Sequence, residues 1–365
     1  MTNSNFGPLS GEALRAQQNE EVQELHRQLA EKDRVFENYR KTRGGLEVFF
    51  RRVVDSISPI TPLPKLYVPE SGKKKTEVAM VGEIADSHMG AEQKGEEIEG
   101  FNDFNPLICE RRNMGFAYSM VDYANTLRAS YKIHELHILM LGDLISGDIH
   151  QELLITNAFP SPVQVVRAAM VHAKQIAILA PHFEKIIVHF VSEDNHARLT
   201  KKPQSGEAGL NSMNYLVGKL LEAYIQKHTN VEFNIYPMLE KVISVNQMQY
   251  LITHGHQIRG WMGYPWYNAE RKVGKETITR MRLVLEDPSK IHELGFHKMV
   301  HAHFHTNLDH PLWSCCASVQ GTTAYDHKDG RYSEPGQPAW LVHPKYGEFA
   351  RTNFRLKFYD EMAIE

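Results

Sequence analysis

From residue 76 onward, short apolar runs alternate with longer amphipathic stretches. The runs TEVAMVGEIAD, ELHILMLGD and KIIVHFVSEDNH are nearly continuous in apolar residues, the pattern of strands covered on both faces. Helical periodicity separates them, from about Arg111 to Ser130, from about Ser161 to Ala180 and from roughly Gly206 to Lys227. KVISVNQMQYLITHGH reads as a hairpin turning near Asn246-Gln247, and HKMVHAHFHT supplies another strand. Apolar runs at 312–319, 339–343 and 353–358 are expected to close the chain as strands. Such alternation predicts an α/β domain with a largely buried sheet.

The first 75 residues follow a different pattern. Residues 12–42 lack glycine and proline, and Val22, Leu25, Leu29, Phe36 and Tyr39 fall on a and d positions of a heptad, with Lys32 as the polar intruder. That predicts a helix with a narrow apolar seam, either lying on its own subunit or pairing with a second copy or a partner protein. Gly44-Gly45 ends it, and a short apolar helix, LEVFFRRVVDSI, follows. Residues 58–75 carry four prolines and then a lysine run, the composition of a stiff extended connector. The expected organisation is a helical appendage over 1–57, a linker over 58–75 and a single large domain over 76–365.

Composition narrows the class. The chain has 365 residues, 42% of them hydrophobic and 23% charged, which excludes a single-motif peptide and a mostly disordered chain. No stretch reaches the roughly 18 uncharged apolar residues of a membrane span, and the N-terminus lacks a basic region followed by an apolar run. A cytoplasmic protein without a membrane partner is therefore expected. Cys109, Cys315 and Cys316 are too few for a disulfide framework and read as reduced thiols. A formal charge of −3 gives no global attraction to nucleic acid, so polyanion binding must come from a local patch. Histidine, the commonest side-chain metal ligand, occurs twenty times.

Several of these histidines sit at strand ends. Five strand-like runs finish in residue types that ligate metals: Asp86-Ser87-His88, Gly142-Asp143, Asn195-His196, His254-Gly255-His256 and His301-Ala302-His303-Phe304-His305. The period of two in the first and last points both ligand side chains the same way, and strand C-termini are where open α/β sheets bind ligands. One such ending is ordinarily a surface or hydrogen-bonded residue; five in one domain predict a metal site. Carboxylate, amide oxygen and imidazole together suit Mn, Fe or Zn better than an all-oxygen cage. Seven ligands exceed the need of one ion, so two divalent metals sharing a carboxylate is the economical count, Mn being the first expectation.

At these residues the chain resembles the calcineurin-like metallophosphoesterase superfamily, closest to its DNA-repair exonuclease branch. The resemblance covers about residues 77–320. It implies a four-layer α/β-β/α sandwich with a two-metal site at one edge of paired sheets. It also implies that Asp86, His88 and His305 hold one metal, that Asn195, His254 and His303 hold the other, and that Asp143 bridges them. His196 would face the substrate as general acid while a metal-bridged hydroxide attacks the phosphorus in line. The third motif departs from the family's Gly-Asn-His followed by an acid, because Asp194 precedes Asn195 and Ala197 follows His196. Asp194, Glu193 or Asp148 would have to orient the imidazole instead. In the fifth motif Ala302 replaces glycine. His256 and His301 flank ligands by period two and would support them, and His150 would line the pocket.

Between Gln257 and Arg282 six basic residues stand against two acidic ones. This stretch carries Arg259, Arg271 and Lys272 together with Trp261, Tyr264, Trp266 and Tyr267. Aromatic faces stack on bases and cations hold phosphates, so it reads either as a nucleic-acid surface or as a loop of core aromatics beside a solvated basic helix. The leading expectation is a two-metal phosphodiesterase or nuclease acting on nucleic acid. The alternatives are a phosphatase or phosphodiesterase for small nucleotides or phosphoproteins, and an assembly protein with a residual metal site.

Overall fold

The computed structural model describes residues 51–66, 75–149, 153–200, 208–261 and 263–363, with the single positions 27 and 48. The chain forms two compact units, Met1–Ser56 and Ile57–Glu365. In the first, residues 51–55 are helical and the Ser56 N–H closes the turn on the Arg52 and Val53 carbonyls. The heptad helix expected over 12–42 lies, but for position 27, outside the described residues.

The second unit opens with the first half of the proline-rich stretch. Residues 57–66 have no regular structure, yet they do not run as a free spacer. The Ile60 N–H donates to the Tyr224 carbonyl and the Leu66 N–H to the Pro181 carbonyl, each at 2.8 Å. Both acceptors lie at or just past a helix C-terminus, where carbonyls have no intrahelical partner.

Two sheets follow. The first has six strands in the order β11-β10-β1-β2-β3-β4, namely β1 (Thr76–Ile84), β2 (Tyr131–Met140), β3 (Lys185–Val191), β4 (Val231–Tyr236), β10 (Gly336–His343) and β11 (Gly347–Arg355). Strands β1 to β4 are parallel, and β10 and β11 join antiparallel at one edge. The second has the order β5-β6-β7-β9-β8, with β5 (Glu240–Val245), β6 (Met248–Thr253), β7 (Lys298–His301), β8 (Leu308–Asp309) and β9 (Trp313–Cys315). Its β6, β7 and β9 are parallel. Among the described residues four long helices accompany the sheets, α1 (Pro106–Leu127), α2 (Ser161–Leu179), α3 (Met213–Ile225) and α4 (Trp266–Glu286). The chain is thus mixed α/β, with two mixed sheets.

Local chemistry moves several boundaries. Helix α1 starts five residues before the expected Arg111, because the Asn105 side chain accepts from the Leu107 and Ile108 N–H groups and Pro106 occupies the first turn. Helix α3 starts at Met213, capped by Ser212. The β5–β6 hairpin turns at Asn246, whose φ of 53° is one that asparagine tolerates. Strand β4 was not expected from the sequence, although Val231, Phe233 and Ile235 alternate with Glu232 and Asn234; it sits at the sheet edge, where polar residues are tolerated. The tail run 312–319 is strand only over Trp313–Cys315, and the strand before Phe358 ends at Arg355 in a 3-10 turn.

Alternation along the strands decides what packs where. Ala79, Val81, Leu139, Leu141, Val191 and Trp340 from the first sheet meet Ile243, Val245, Tyr250, Ile252 and Val300 from the second in one buried cluster. On the opposite face of β1, Gly82 lies under α1 so closely that a Cβ would sit 2.5 Å from Met120 Sδ. The far face of the second sheet, through Val242, Leu251, Met299 and Trp313, is covered by Ala269 and Val273 of α4. The span Ser161–His182 is long and apolar enough to cross a membrane on length and composition, with mean hydropathy 1.2, but Arg167 and Lys174 interrupt it. Of its most apolar window 61% is buried in the protein, where α2 packs against α1 and α3.

Candidate metal centre

The five ligand-bearing segments leave the C-terminal ends of β1, β2, β3, β6 and β7. Backbone bonds lock them to one another beyond the strands. The Asp86 N–H donates to the Gly142 carbonyl (3.1 Å), the His88 N–H to the Asp143 carbonyl (3.0 Å) and the Ala302 N–H to the His254 carbonyl (2.8 Å). Side chains continue the lock: Asp86 Oδ2 accepts from the His303 N–H (3.0 Å) and Asp143 Oδ1 from the His196 N–H (3.1 Å). Asp86, His88, Asp143, His303 and His305 all have φ between 45° and 74°. Left-handed backbone at non-glycine residues is uncommon and concentrates at functional sites. Among the described residues only Glu99, Asn246 and Ala350 share it.

Three groups of ligand atoms result, each within 4.8 Å: Asp86, His88 and His305; Asp143, His254 and His303; and His88, Asp143 and His196. Two of these match the two expected ligand sets in their histidine and carboxylate members. His88 Nε2 lies 3.1 Å from His305 Nε2, and His305 Nε2 lies 3.8 Å from Asp86 Oδ1. His254 Nε2 is 2.8 Å from Asn195 Oδ1 and 3.1 Å from Asp143 Oδ2, which brings the seventh expected ligand, Asn195, into contact with the second group. Asp86, His88, Asp143 and His254 are buried.

The electrostatics fit a cation. Asp86 Oδ1 is buried with no hydrogen-bond partner, a costly arrangement unless a positive group completes it. Burial lowers His88 and His303 well below the usual histidine range and takes His305 to about 4, leaving neutral imidazoles, the form that ligates metals. Burial raises the Asp86 carboxyl, whereas the charges of His254 and His196, opposing burial, hold Asp143 well below the usual range. His254 is raised to about 10: burial works against its charge, and Asp143 outweighs it. The negative field that would keep a proton on His254 is one a divalent cation satisfies equally. His254 Nδ1 donates to the Leu141 carbonyl (2.8 Å), which aims Nε2 at the site. These groups could hold metal ions.

His196 lies at the rim, with a fifth of its side chain exposed, Nε2 4.0 Å from Asp143 Oδ2 and its ring centroid 4.7 Å from that of His88. A backbone carbonyl holds its ring. Nδ1 donates to the Ser146 carbonyl at 2.7 Å. Asp194 is occupied elsewhere, accepting from the Asp143 and Ala197 N–H groups at 2.9 Å each, so it braces the loop and not the ring. Asp148 is exposed. His256 stands 5.7 Å from His254, beside a small cleft that Glu193, Asp194, Arg198 and Asn211 also line. His301 turns away: it is stacked on Trp313 at 5.8 Å and donates through Nδ1 to the Ala302 carbonyl, so it belongs to the packing of the second sheet. His150 lies outside the described residues. The carbonyls of Leu141 and Ser146 were invisible to sequence reasoning, since every residue has one.

The aromatic stretch is exposed and not core, with Trp261 76%, Tyr267 70%, Trp266 51% and Tyr264 37% accessible. Trp261 and Tyr264 pair across a tight turn, and Trp266 opens α4 with its ring against Trp313. The turn borders the fifth motif, because a Cβ on Gly260 would lie 3.0 Å from the Phe304 ring. Arg259 and Arg271 are exposed. Lys272 departs from expectation: Nζ is held by Glu240 (3.0 Å) and Glu276 (2.7 Å), and Arg280 shares both carboxylates. Its charge is spent on tying α4 to β5.

Comparison with known proteins adds little. No family model matches the chain, and no curated protein does. A crystal structure of a protein of unknown function from Aquifex aeolicus aligns with 66% of this chain and 91% of its own, at 16% identity and a TM-score of 0.23, which carries no argument about fold or function.

Proposed function

We propose that the chain is a two-metal phosphoester hydrolase of the calcineurin-like type, working as a phosphodiesterase or nuclease on nucleic acid. The observation that carries this reading is the meeting of five strand-end motifs in one set of ligand groups, one of which includes a buried carboxylate oxygen, Asp86 Oδ1, with no hydrogen bond. In this reading the helix and sheet packing described above is a four-layer α/β-β/α sandwich. Asp86, His88 and His305 would hold one ion, Asn195, His254 and His303 the other, and Asp143 both. When bound, two divalent cations such as Mn, or Fe or Zn in its place, lower the pKa of water and clamp phosphoryl oxygens.

The protein's own part is orientation and proton transfer. The Ser146 carbonyl fixes a proton on Nδ1 of His196, so the imidazolium form carries its transferable proton on Nε2, toward the site. That proton meets the leaving oxygen as the ester bond breaks. The exposed Trp261, Tyr267 and Trp266 offer faces for bases, and Arg259 and Arg271 offer charge for phosphates. A second reading, a small-nucleotide substrate, is favoured by the engagement of Lys272 and Arg280 with Glu240 and Glu276, which shortens the basic track. Digesting single-stranded DNA, duplex DNA, RNA and mononucleotides with the Mn-loaded protein separates the two. Cleavage of polynucleotide supports the first reading, and turnover of mononucleotides alone refutes it.

A further inference from the structure

We infer that Gln164, which holds the Ser146–Gly147 peptide, and Asn157, which holds the peptide after it, set the direction of the His196 ring, which makes both of them positioning residues for proton donation. The inference rests on the reading of His196 as general acid. The Ser146 carbonyl can only accept, and His196 Nδ1 reaches it at 2.7 Å, so turning that carbonyl would turn a hydrogen bond that holds the ring. Gly147 is gripped through both of the peptides that it shares. The Gly147 N–H donates to Gln164 Oε1 at 2.8 Å, and the Gly147 carbonyl accepts from Asn157 Nδ2 at 2.6 Å. The Ser146 N–H donates to the Met89 carbonyl at 3.1 Å, which ties the preceding peptide to the segment after β1.

Gln164 is built into this position. It is fully buried in the first turn of α2, on a face otherwise lined by Val165, Ala168 and Ala169. An amide there is costly unless each polar atom is satisfied. Nε2 donates to the Phe159 carbonyl at 2.9 Å, which leaves Oε1 aimed at Gly147. Two glycines make room: a Cβ on Gly90 would lie 2.6 Å from Gln164 Cδ, and one on Gly147 would run into the His196 carbonyl. Gly147 also has φ +68°, which a side chain would strain. In the step concerned, the oxygen of a water that has already lost one proton to solvent bonds to phosphorus, and the bond from phosphorus to the leaving oxygen breaks with its electron pair on that oxygen. The Nε2 proton of the His196 imidazolium moves to it, leaving a neutral imidazole whose Nδ1–H still rests on Ser146.

The test compares kcat of the Mn-loaded protein on bis-para-nitrophenyl phosphate, whose phenolate leaves with little help, and on a dinucleotide, whose alkoxide needs a proton. Gln164→Met, which removes both the acceptor and the donor of the amide, should lower dinucleotide turnover at least tenfold more than aryl turnover, at equal metal content. Gln164→Glu, as a neutral buried carboxyl with one acceptor and one donor, should restore most of the wild-type ratio. Asn157→Ala, at a half-buried site, should shift the ratio the same way by less, and it decides the question if Gln164→Met does not fold. Equal losses on both substrates, or none on either, overturn the clamp. His196→Asn tells the two failures apart: if it too loses both substrates equally, the general-acid reading falls, whereas a selective loss there with parallel losses at Gln164 sinks the clamp alone.

Discussion

The left-handed backbone at Asp86, His88, Asp143, His303 and His305 puts a cost at the residues that would meet the metal. Each such conformation costs about 1 to 3 kcal/mol at a non-glycine residue. His88→Gly and His88→Ala should therefore lose activity alike, yet the glycine variant should be the more stable by about 1 kcal/mol in urea unfolding; equal stability would show the backbone to be unstrained. His196→Ala should retain its metal and lose about 10² to 10⁴ in rate, whereas metal loss measured by elemental analysis would make it a ligand, as its grouping with His88 and Asp143 allows. Away from the site, His172 is buried against Gln175 and lowered to about 4 by burial. The unfolded chain takes up this proton first, near pH 6.5, so the stability contributed is complete above that pH. It is lost as pH falls toward 4, to the extent of about 3 kcal/mol. His172→Gln should flatten the fall in melting temperature between pH 7 and 5, and an unchanged slope would contradict the assignment.

At the level of elements, β1, β2 and β3 were legible because a strand buried on both faces spells itself in apolar residues, and α2 because its period is strong. Two features were missed: β4, whose six residues do alternate between apolar and polar, and the early start of α1, which a single asparagine dictates. Helix α4 divides the basic aromatic stretch into two roles that the sequence could not separate, because an ion pair to Glu240 is a contact between elements far apart in the chain. Trp261→Ala and Tyr267→Ala should weaken single-strand binding by roughly 1 to 3 kcal/mol per lost stack with an unchanged melting temperature, since both rings are exposed. A fall in melting temperature with no change in affinity would return them to a packing role. Arg271→Ala should flatten the salt dependence of binding, whereas Lys272→Ala should lower the melting temperature instead. Identical behaviour of the two variants would mean that the network with Glu240 and Glu276 adds nothing.

On the scale of the whole molecule, the two sheets face each other through one apolar cluster, and that packing brings the C-terminal ends of β1, β2 and β3 beside those of β6 and β7. The ligand types and their spacing were legible in the sequence, since Asp, Asn and His at strand ends are side-chain signals. The supports were not, because the carbonyls of Leu141 and Ser146 depend on where neighbouring loops come to rest. The central claim is that this convergence is a catalytic two-metal centre. It is tested most directly by stripping the protein of metal, titrating Mn back, and recording bound ions and phosphodiester turnover on the same samples. The account predicts no turnover in the stripped protein, activity rising to a plateau at two bound ions per chain, and neither uptake nor turnover restored to Asp143→Ala. Phosphodiester hydrolysis at the normal rate by metal-free protein would contradict it.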